Sequence, residues 1–406
     1  MESVQLGTYP VPRGGSLPLH PGRYTVMKKI KIVFVEYQLI CGGAEQALFD
    51  LVNLLDRERF EASVFVQSPG GSWEKKFQDA GIPVIHDYDC RKPTFNPVRK
   101  LGNFVKKCKV ARANRQGGRG LLEVCLPEQP DIVVSYSAWM QDEIAFVKNA
   151  KSVKYIHGDP GTNPVYRKEA VEEQEILRRY DRIVCVSQAA WDSFRKLSGL
   201  EHQTELHYNP LNSDNVRSLS RQPVSLPEDV PLVCAVGRLA EEKGFERLLV
   251  IHRHLLDAGI RHRLVIVGDG PDRDFLPRLA RALGVQDSVI FAGYQSNPYP
   301  YMAHSRFLVN SSFTEGLPVI AMEALCLGIP VVSTMPSVGE AFGGEECGMI
   351  TENSVPALEA GVRKMLTDEA YYAKLKAGAE KRSAFFDGKR MVREVEEMFL
   401  SLLETT

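Results

Sequence analysis

Ser311-Ser312-Phe313-Thr314-Glu315-Gly316-Leu317-Pro318-Val319-Ile320-Ala321-Met322-Glu323-Ala324 follows the apolar run Phe307-Leu308-Val309, and together they read as strand, tight turn and helix. Gly316 permits close backbone approach, Pro318 suits a first helical turn, and Ala321 to Leu327 continues in good helix formers. A helix start carries unpaired N–H groups and the positive end of the dipole, so an anionic phosphate is its natural ligand. Glu315 and Glu323 are about two helical turns apart, which predicts that both lie on one face, one beside the phosphate and the other deeper.

Upstream, Gly237-Arg238-Leu239-Ala240-Glu241-Glu242-Lys243-Gly244-Phe245 joins the strand-like run Leu232-Val233-Cys234-Ala235-Val236 to an amphipathic helix with apolar positions 245, 248, 249, 255 and 256. Two cations then bracket a loop at the carboxyl edge of a strand. Ligands bind at that edge in an open α/β sheet, and Arg with Lys there suits a diphosphate. Further strands are expected at Leu264 to Val267, Val289 to Ala292, Phe307 to Asn310 and Val331 to Ser333.

The same rhythm fills the first half of the chain. Ile32 to Val35, Ala62 to Gln67, Pro83 to Ile85, Ile132 to Ser135, Val153 to His157 and Ile183 to Ser187 read as strands, with helices at Glu45 to Leu55 and Trp73 to Ala80. Such alternation is the pattern of βαβ units around a parallel sheet. Residues 211 to 230 break it with Asn, Ser, Asp and Pro and read as a linker. Met391 to Leu403 carries a helical apolar stripe at 391, 392, 395, 398, 399 and 402. The expected division is an N-terminal segment 1–27 that is disordered or extraneous, a first domain 28–210 with the terminal helix 389–406, and a second domain 211–388.

A chain of 406 residues with 44% hydrophobic and 25% charged residues is long enough for two domains with separate cores. Its formal net charge of -1 gives no global field for nucleic acid. The cysteines at 41, 90, 108, 125, 185, 234, 326 and 347 form no Cys-x-x-Cys pair and read as reduced thiols. With no apolar run long enough to span a membrane and no signal-peptide core, a cytoplasmic protein is expected.

The Glu, seven residues, Glu pattern of Glu315 and Glu323, with Gly-Leu-Pro after the first, resembles the retaining GT-B glycosyltransferases of family 4. That resemblance covers residues 28 to 403 and is strongest from Gly237 to Glu323. It implies two Rossmann-like doubly wound domains facing a central cleft, with the last helix crossing back to the first domain. It also implies transfer of a sugar from a nucleotide-diphosphate donor, by family frequency UDP-linked, to a hydroxyl of a glycan or lipid-linked acceptor. In such front-face transfer the departing phosphate takes the acceptor's proton and no protein nucleophile is needed.

By the same resemblance, Arg238 and Lys243 neutralise the leaving diphosphate and Glu315 holds the donor sugar. Glu323 binds the ribose hydroxyls, the amides of Gly316 and Leu317 complete the cradle with Gly237, and Gly293 and Tyr294 line the base pocket. In the first domain, Gly42 and Gly43 of Cys41-Gly42-Gly43-Ala44-Glu45 would approach the donor phosphates and acceptor, a plain tight turn being the alternative. His157 of Tyr155-Ile156-His157-Gly158-Asp159-Pro160 would face the donor sugar, with Asp159 beside it.

Asp87-Tyr88-Asp89 and Asp272-Arg273-Asp274 match the metal-binding triplet of the other glycosyltransferase fold, but Arg238 and Lys243 can supply the neutralisation a metal would. No cofactor and no metal are expected. The span Arg91 to Arg119 holds ten Lys or Arg and no acid, with Val98, Leu101, Phe104, Val105 and Cys108 at helical spacing. Such a helix either lies on an anionic membrane surface or packs on its own domain with a solvated charged face. Other classes sharing parts of this pattern are a nucleotide-sugar 2-epimerase, a pyridoxal-dependent phosphorylase and an inactive sugar-nucleotide sensor.

Overall fold

The computed structural model describes residues 28–40, 42–86, 97–137 and 142–404. The segment 1–27, Cys41, Cys90, the Asp87-Tyr88-Asp89 triplet and residues 91–96 of the basic span lie outside the described residues.

The first unit runs β1 (Ile30–Glu36), α1 (Gly43–Leu54), β2 (Phe60–Val66), α2 (Glu74–Asp79), β3 (Val84–His86), α3 (Pro97–Arg115), α4 (Leu121–Cys125), β4 (Ile132–Ser135), β5 (Lys151–Ile156), α5 (Pro164–Glu172), α6 (Gln174–Leu177), β6 (Arg182–Cys185), α7 (Gln188–Ser198) and β7 (Thr204–Leu206). The second runs α8 (Ser213–Leu219), β8 (Leu232–Val236), α9 (Phe245–Asp257), β9 (Arg263–Val267), α10 (Phe275–Ala282), β10 (Val289–Gly293), α11 (Tyr299–Ala303), β11 (Phe307–Asn310), α12 (Val319–Cys326), β12 (Val331–Ser333), α13 (Val338–Phe342), β13 (Gly348–Ile350), α14 (Val355–Thr367) and α15 (Glu369–Ser383). The chain then ends in α16 (Gly388–Glu404).

Two parallel sheets result, ordered β3-β2-β1-β4-β5-β6-β7 and β10-β9-β8-β11-β12-β13. The fold is GT-B, two Rossmann-like doubly wound units. Strands such as Ile32-Val33-Phe34-Val35 are apolar throughout because helices cover both faces of the sheet. In the first sheet Ile32, Phe34, Ile132 and Val134 pack beneath α1, while the alternate residues Val33, Val35 and Val133 pack with Val110 and Ala113 of α3 and Phe194 of α7. Each sheet reverses its strand order once, between β1 and β4 and between β8 and β11. Crevices at the carboxyl ends of strands flanking such a reversal are where open α/β sheets bind ligands.

The expected return of the terminal helix is observed. Val392, Val395, Met398, Phe399 and Leu402 of α16 are buried in the first unit's core with Phe34 and Leu51, and Glu396 accepts a hydrogen bond from the Asp56 amide at 2.7 Å. At about 2 kcal/mol for each of these side chains, the anchor is on the order of 10 kcal/mol before chain entropy is subtracted.

The reading of 211–230 as a linker without periodic structure is corrected. Asn212 caps α8 by accepting the Asn215 amide at 3.2 Å, and Leu211 and Val216 are buried in the second unit's core. The segment is too short for a periodic apolar pattern, and the surface it covers comes from α11 and α12, elements distant in the chain. Cys108, Cys185, Cys234, Cys326 and Cys347 are free thiols, the last four buried and Cys108 exposed.

Candidate active site

The loops after β8 and β11 meet at the second sheet's reversal. Lys243 Nζ lies 3.0 Å from Glu315 Oε2. Glu315 Oε1 also accepts from Asn310 Nδ2 at 3.1 Å and from the Ser312 hydroxyl, so the carboxylate is held from both sides. Arg238 stands more exposed and pairs with Glu242. Both cations therefore rest on carboxylates supplied by their own loops or by the turn after β11.

The position of Glu315 corrects the expectation that it shares a helical face with Glu323. The helix α12 begins at Val319, with Pro318 at the N-cap position rather than within the first turn. Glu315 lies in the preceding turn, while Glu323 is buried within an almost wholly apolar helix. Its Oε1 accepts from the Tyr299 hydroxyl at 2.9 Å. Burial raises its pKa to about 7; the Tyr299 bond opposes this, the nearby Asp50 charge adds to it, and Lys76 of the first unit lowers it.

Arg247 of α9 fixes the turn that carries Glu315. It is buried, and its guanidinium donates to the Ser311 carbonyl at 2.9 Å from Nε, to the Ser312 carbonyl at 2.9 Å, to Thr334 Oγ1 at 3.2 Å and to Asn353 Oδ1 at 2.7 Å, with its plane over the Phe313 ring. Such a planar fork can satisfy several carbonyls at once, which a Lys cannot. The loops after β8 and β9 are drawn together as well: a Cβ on Gly268, whose φ is +151°, would lie 1.9 Å from the Gly237 carbonyl oxygen.

The first unit closes the cleft from the other side. A Cβ on Gly316 would lie 2.3 Å from the His157 carbonyl oxygen, so the absence of a side chain at 316 sets how closely the two units approach. Gly43, at the start of α1, sits opposite Val319, at the start of α12. The start of α12 has no side-chain cap, with Leu317 buried just before it, whereas at the start of α1 the Glu45 carboxylate lies over Gly42 and accepts a backbone hydrogen bond. An uncapped helix start at the crevice is an anion-binding arrangement.

His157 follows β5 with both ring nitrogens enclosed. Burial lowers its pKa to about 4, the Tyr136 backbone carbonyl opposing this and the Lys154 charge reinforcing it, so the ring is neutral at physiological pH. Asp159 accepts from the Gly161 amide at 2.7 Å, a turn-holding role. Gly293 ends β10 with φ +67°, and the exposed Tyr294 accepts through its hydroxyl from Trp73 Nε1 of the first unit at 3.1 Å. Glu340 of α13 receives the amides of Gln188 at 2.6 Å and Ala189 at 3.0 Å, capping α7 across the cleft.

Residues that the sequence reading passed over therefore include Arg247, Glu340, Trp73, Asn310 and Glu45. Burial raises the pKa of Glu45 to about 7 against the pull of Arg238 across the cleft. Only Glu45, in the first turn after the paired glycines, stood at a position that marks it in the sequence. Among the described residues no group of three or more His, Cys, Asp or Glu side chains is arranged to hold a metal ion, and Asp272 and Asp274 sit at the start of α10 around an Arg273 that pairs with Asp269.

Comparison with known proteins agrees with this architecture. Residues 216–382 match the family described as Glycosyl transferases group 1, and residues 41–215 match Glycosyltransferase Family 4. A Campylobacter jejuni N-acetylgalactosamine-N,N'-diacetylbacillosaminyl-diphospho-undecaprenol 4-alpha-N-acetylgalactosaminyltransferase is 26% identical over 381 residues, covering 91% of this chain and 98% of that protein. The lipopolysaccharide core biosynthesis glycosyltransferase LpsE of Rhizobium meliloti is 26% identical over 364 residues, 89% and 96% of the two chains. The structure of Anabaena HepE in complex with UDP and glucose superposes with a TM-score of 0.71 at 19% identity, over 92% of this chain and all of that one. The paired Rossmann units and the two family matches that together run from residue 41 to 382 make this chain a member of the GT-B glycosyltransferases of group 1, and hence a transferase.

Proposed function

We propose that the protein is a retaining hexosyltransferase that moves a sugar from a UDP-linked donor to a hydroxyl of a glycan or lipid-linked acceptor, in cell-surface polysaccharide or glycolipid synthesis. The observation that carries this reading is the meeting of Arg238, Lys243, Glu315 and the uncapped start of α12 at the second sheet's strand reversal. Support for UDP comes from the UDP complex of HepE. Support for a lipid-linked or polysaccharide acceptor comes from the named activities of the Campylobacter and Rhizobium relatives.

On this reading the diphosphate displaces Glu242 from Arg238, while Lys243 bridges it to Glu315, which holds the donor sugar's hydroxyls. Glu323 takes the ribose hydroxyls, and Gly293 and Tyr294 border the base. His157, neutral, offers a hydrogen bond to the sugar. Fixed cations and helix-start amides stabilise the charge that develops on the leaving diphosphate, and closure of the units excludes water. No cofactor or metal is required.

Thermal melting of the purified protein with UDP, GDP, ADP and CMP, with EDTA or with Mg²⁺, tests this. UDP at about 100 times its Kd is expected to stabilise by about 2.7 kcal/mol, a rise of several degrees, in EDTA as in Mg²⁺. Glu323→Ala is expected to remove the rise. No shift with any nucleotide would sink the donor-site reading, and a shift seen only with Mg²⁺ would sink metal independence.

A cytoplasmic protein peripheral to the inner face of the membrane is the matching location. Among the described residues no helix is long and apolar enough to cross a membrane. The helix α3 packs through Val110 and Ala113 and not through the stripe that contains Phe104 and Val105; Phe104 is 63% exposed, among Lys106, Lys107, Lys109 and Arg112. An exposed aromatic among cations suits an anionic lipid surface. Co-sedimentation with phosphatidylglycerol-containing vesicles is expected at low salt and is expected to fall sharply near 1 M salt, where the screening length is about 3 Å; no binding at low salt would dismiss membrane contact.

A further inference from the structure

Strand ends of the two sheets meet across the cleft at a series of contacts. On one flank Trp73, beyond β2, donates to Tyr294, beyond β10, at 3.1 Å. Towards the middle His157, beyond β5, faces Gly316, beyond β11. On the other flank the start of α7, beyond β6, meets Glu340 of α13, beyond β12. Of these contacts only the last sets a charged group of one unit on the backbone of the other.

The first four amides of α7 can be followed one by one. Ala190 donates to the Ser187 hydroxyl at 3.1 Å and Trp191 to the Ser187 carbonyl at 2.9 Å, both within the first unit. Gln188 and Ala189 donate instead to the Glu340 carboxylate, at 2.6 Å and 3.0 Å. The first turn of α7 has no acid of its own. A carboxylate on two helix-start amides is charge-assisted and aligned with the helix dipole, which makes it one of the stronger polar contacts a fold can form. Glu340 is itself firmly set. Val338, Ala341 and Phe342 of α13 are buried in the second unit's core, and Ser337, just before α13, donates to the Gly316 carbonyl. Its carboxylate also meets the hydroxyl of Tyr208, on the chain that passes between the units. One short helix thus ties the donor turn at Gly316 to the first unit.

We propose that Glu340 is a positioning residue for sugar transfer: it latches the two units together and so sets the distance from the donor turn to the first unit. The proposal rests on the glycosyl-transfer reading above. Arg238, Lys243, Glu315 and Glu323 all belong to the second unit and assemble without the latch, so Glu340 acts on the approach of the two halves and not on nucleotide binding. An acid in the first turn of α7 itself would stabilise that helix as well, but would leave the cleft free to open. Supplying the acid from the other unit makes the same contact serve closure.

Wild type is compared with Glu340→Ala and with Glu340→Ala combined with Gln188→Asp, which returns an acid to the first turn of α7 from within the first unit. Without nucleotide, the Gln188 and Ala189 amides of the wild type are expected to exchange hydrogen about tenfold or more slowly than those of Glu340→Ala. The radius of gyration from X-ray scattering is expected to rise by roughly 1 Å in Glu340→Ala and to stay raised in the double variant, whose Tm returns towards that of the wild type. Equal exchange in wild type and Glu340→Ala would mean that the latch stands open in solution. An unchanged radius, or one restored in the double variant, would mean that Glu340 only caps a helix. Either result overturns the proposal. The rise in Tm with UDP is expected to persist in Glu340→Ala; its loss in that variant alone would place Glu340 in the nucleotide site and overturn the proposal too. Absence of the rise in the wild type refutes the donor reading, while exchange and scattering, which need no nucleotide, still decide the latch.

Discussion

Arg238→Ala is expected to lower kcat by about two to three orders of magnitude, the scale for removing one oriented charge donor from a site where negative charge develops. The reasoning starts from where the side chain rests. Arg238 is 54% exposed and its partner Glu242 lies four residues on in the same loop, so the pair adds at most a few tenths of a kcal/mol to stability. The Tm of the variant is therefore expected to stay within about a degree or two of the wild type. A large fall in turnover with almost none in stability separates a charge kept for a ligand from one kept for the fold. Near-normal kcat in a single-turnover assay with UDP-sugar and acceptor would remove Arg238 from the diphosphate site.

The second large effect is expected from Gly316→Ala. The added methyl would sit 2.3 Å from the His157 carbonyl oxygen, which must retreat by about 1 Å to restore contact. Because that oxygen belongs to the other unit, the clash is relieved by holding the units apart. Arg238, Lys243, Glu315 and Glu323 all lie in the second unit and stay assembled. UDP binding should then persist, while kcat falls about a hundredfold because donor and acceptor no longer meet at reacting distance. Loss of nucleotide binding in this variant would mean that Gly316 acts within the cradle and not at the closure contact. Unchanged kcat would mean that the contact is not formed during turnover.

The outcomes of the sequence reading follow the range of the interactions involved. Strands such as Ile32–Val35 and Ile132–Ser135 were legible because burial on both faces leaves an unbroken apolar run, and the stripe of α16 because it is long. The loop carrying Arg238 and Lys243 was legible because it joins one strand to the next helix. The helix α8 was not, since seven residues hold too little periodicity, and the start of α12 was misplaced because Glu315 reads equally as a first-turn residue or as the turn before it. Phe104 and Val105 fell on a plausible apolar stripe, yet α3 rotates to pack Val110 and Ala113 instead.

By itself, then, the sequence determined the two parallel-sheet units, the terminal helix and the local motifs at the strand ends, all of which depend on residues near one another in the chain, while the docking of that helix on the first unit is a tertiary contact. The tertiary structure alone decided which strand ends face each other. Contacts between Gly316 and His157, Tyr294 and Trp73, and Glu340 and the start of α7 join positions more than a hundred residues apart. Glu36 and Tyr136, ordinary residues in the sequence, likewise become neighbours only because β4 crosses over to lie beside β1. Pairings of that kind are set by how whole layers pack, and no local pattern of residues encodes them.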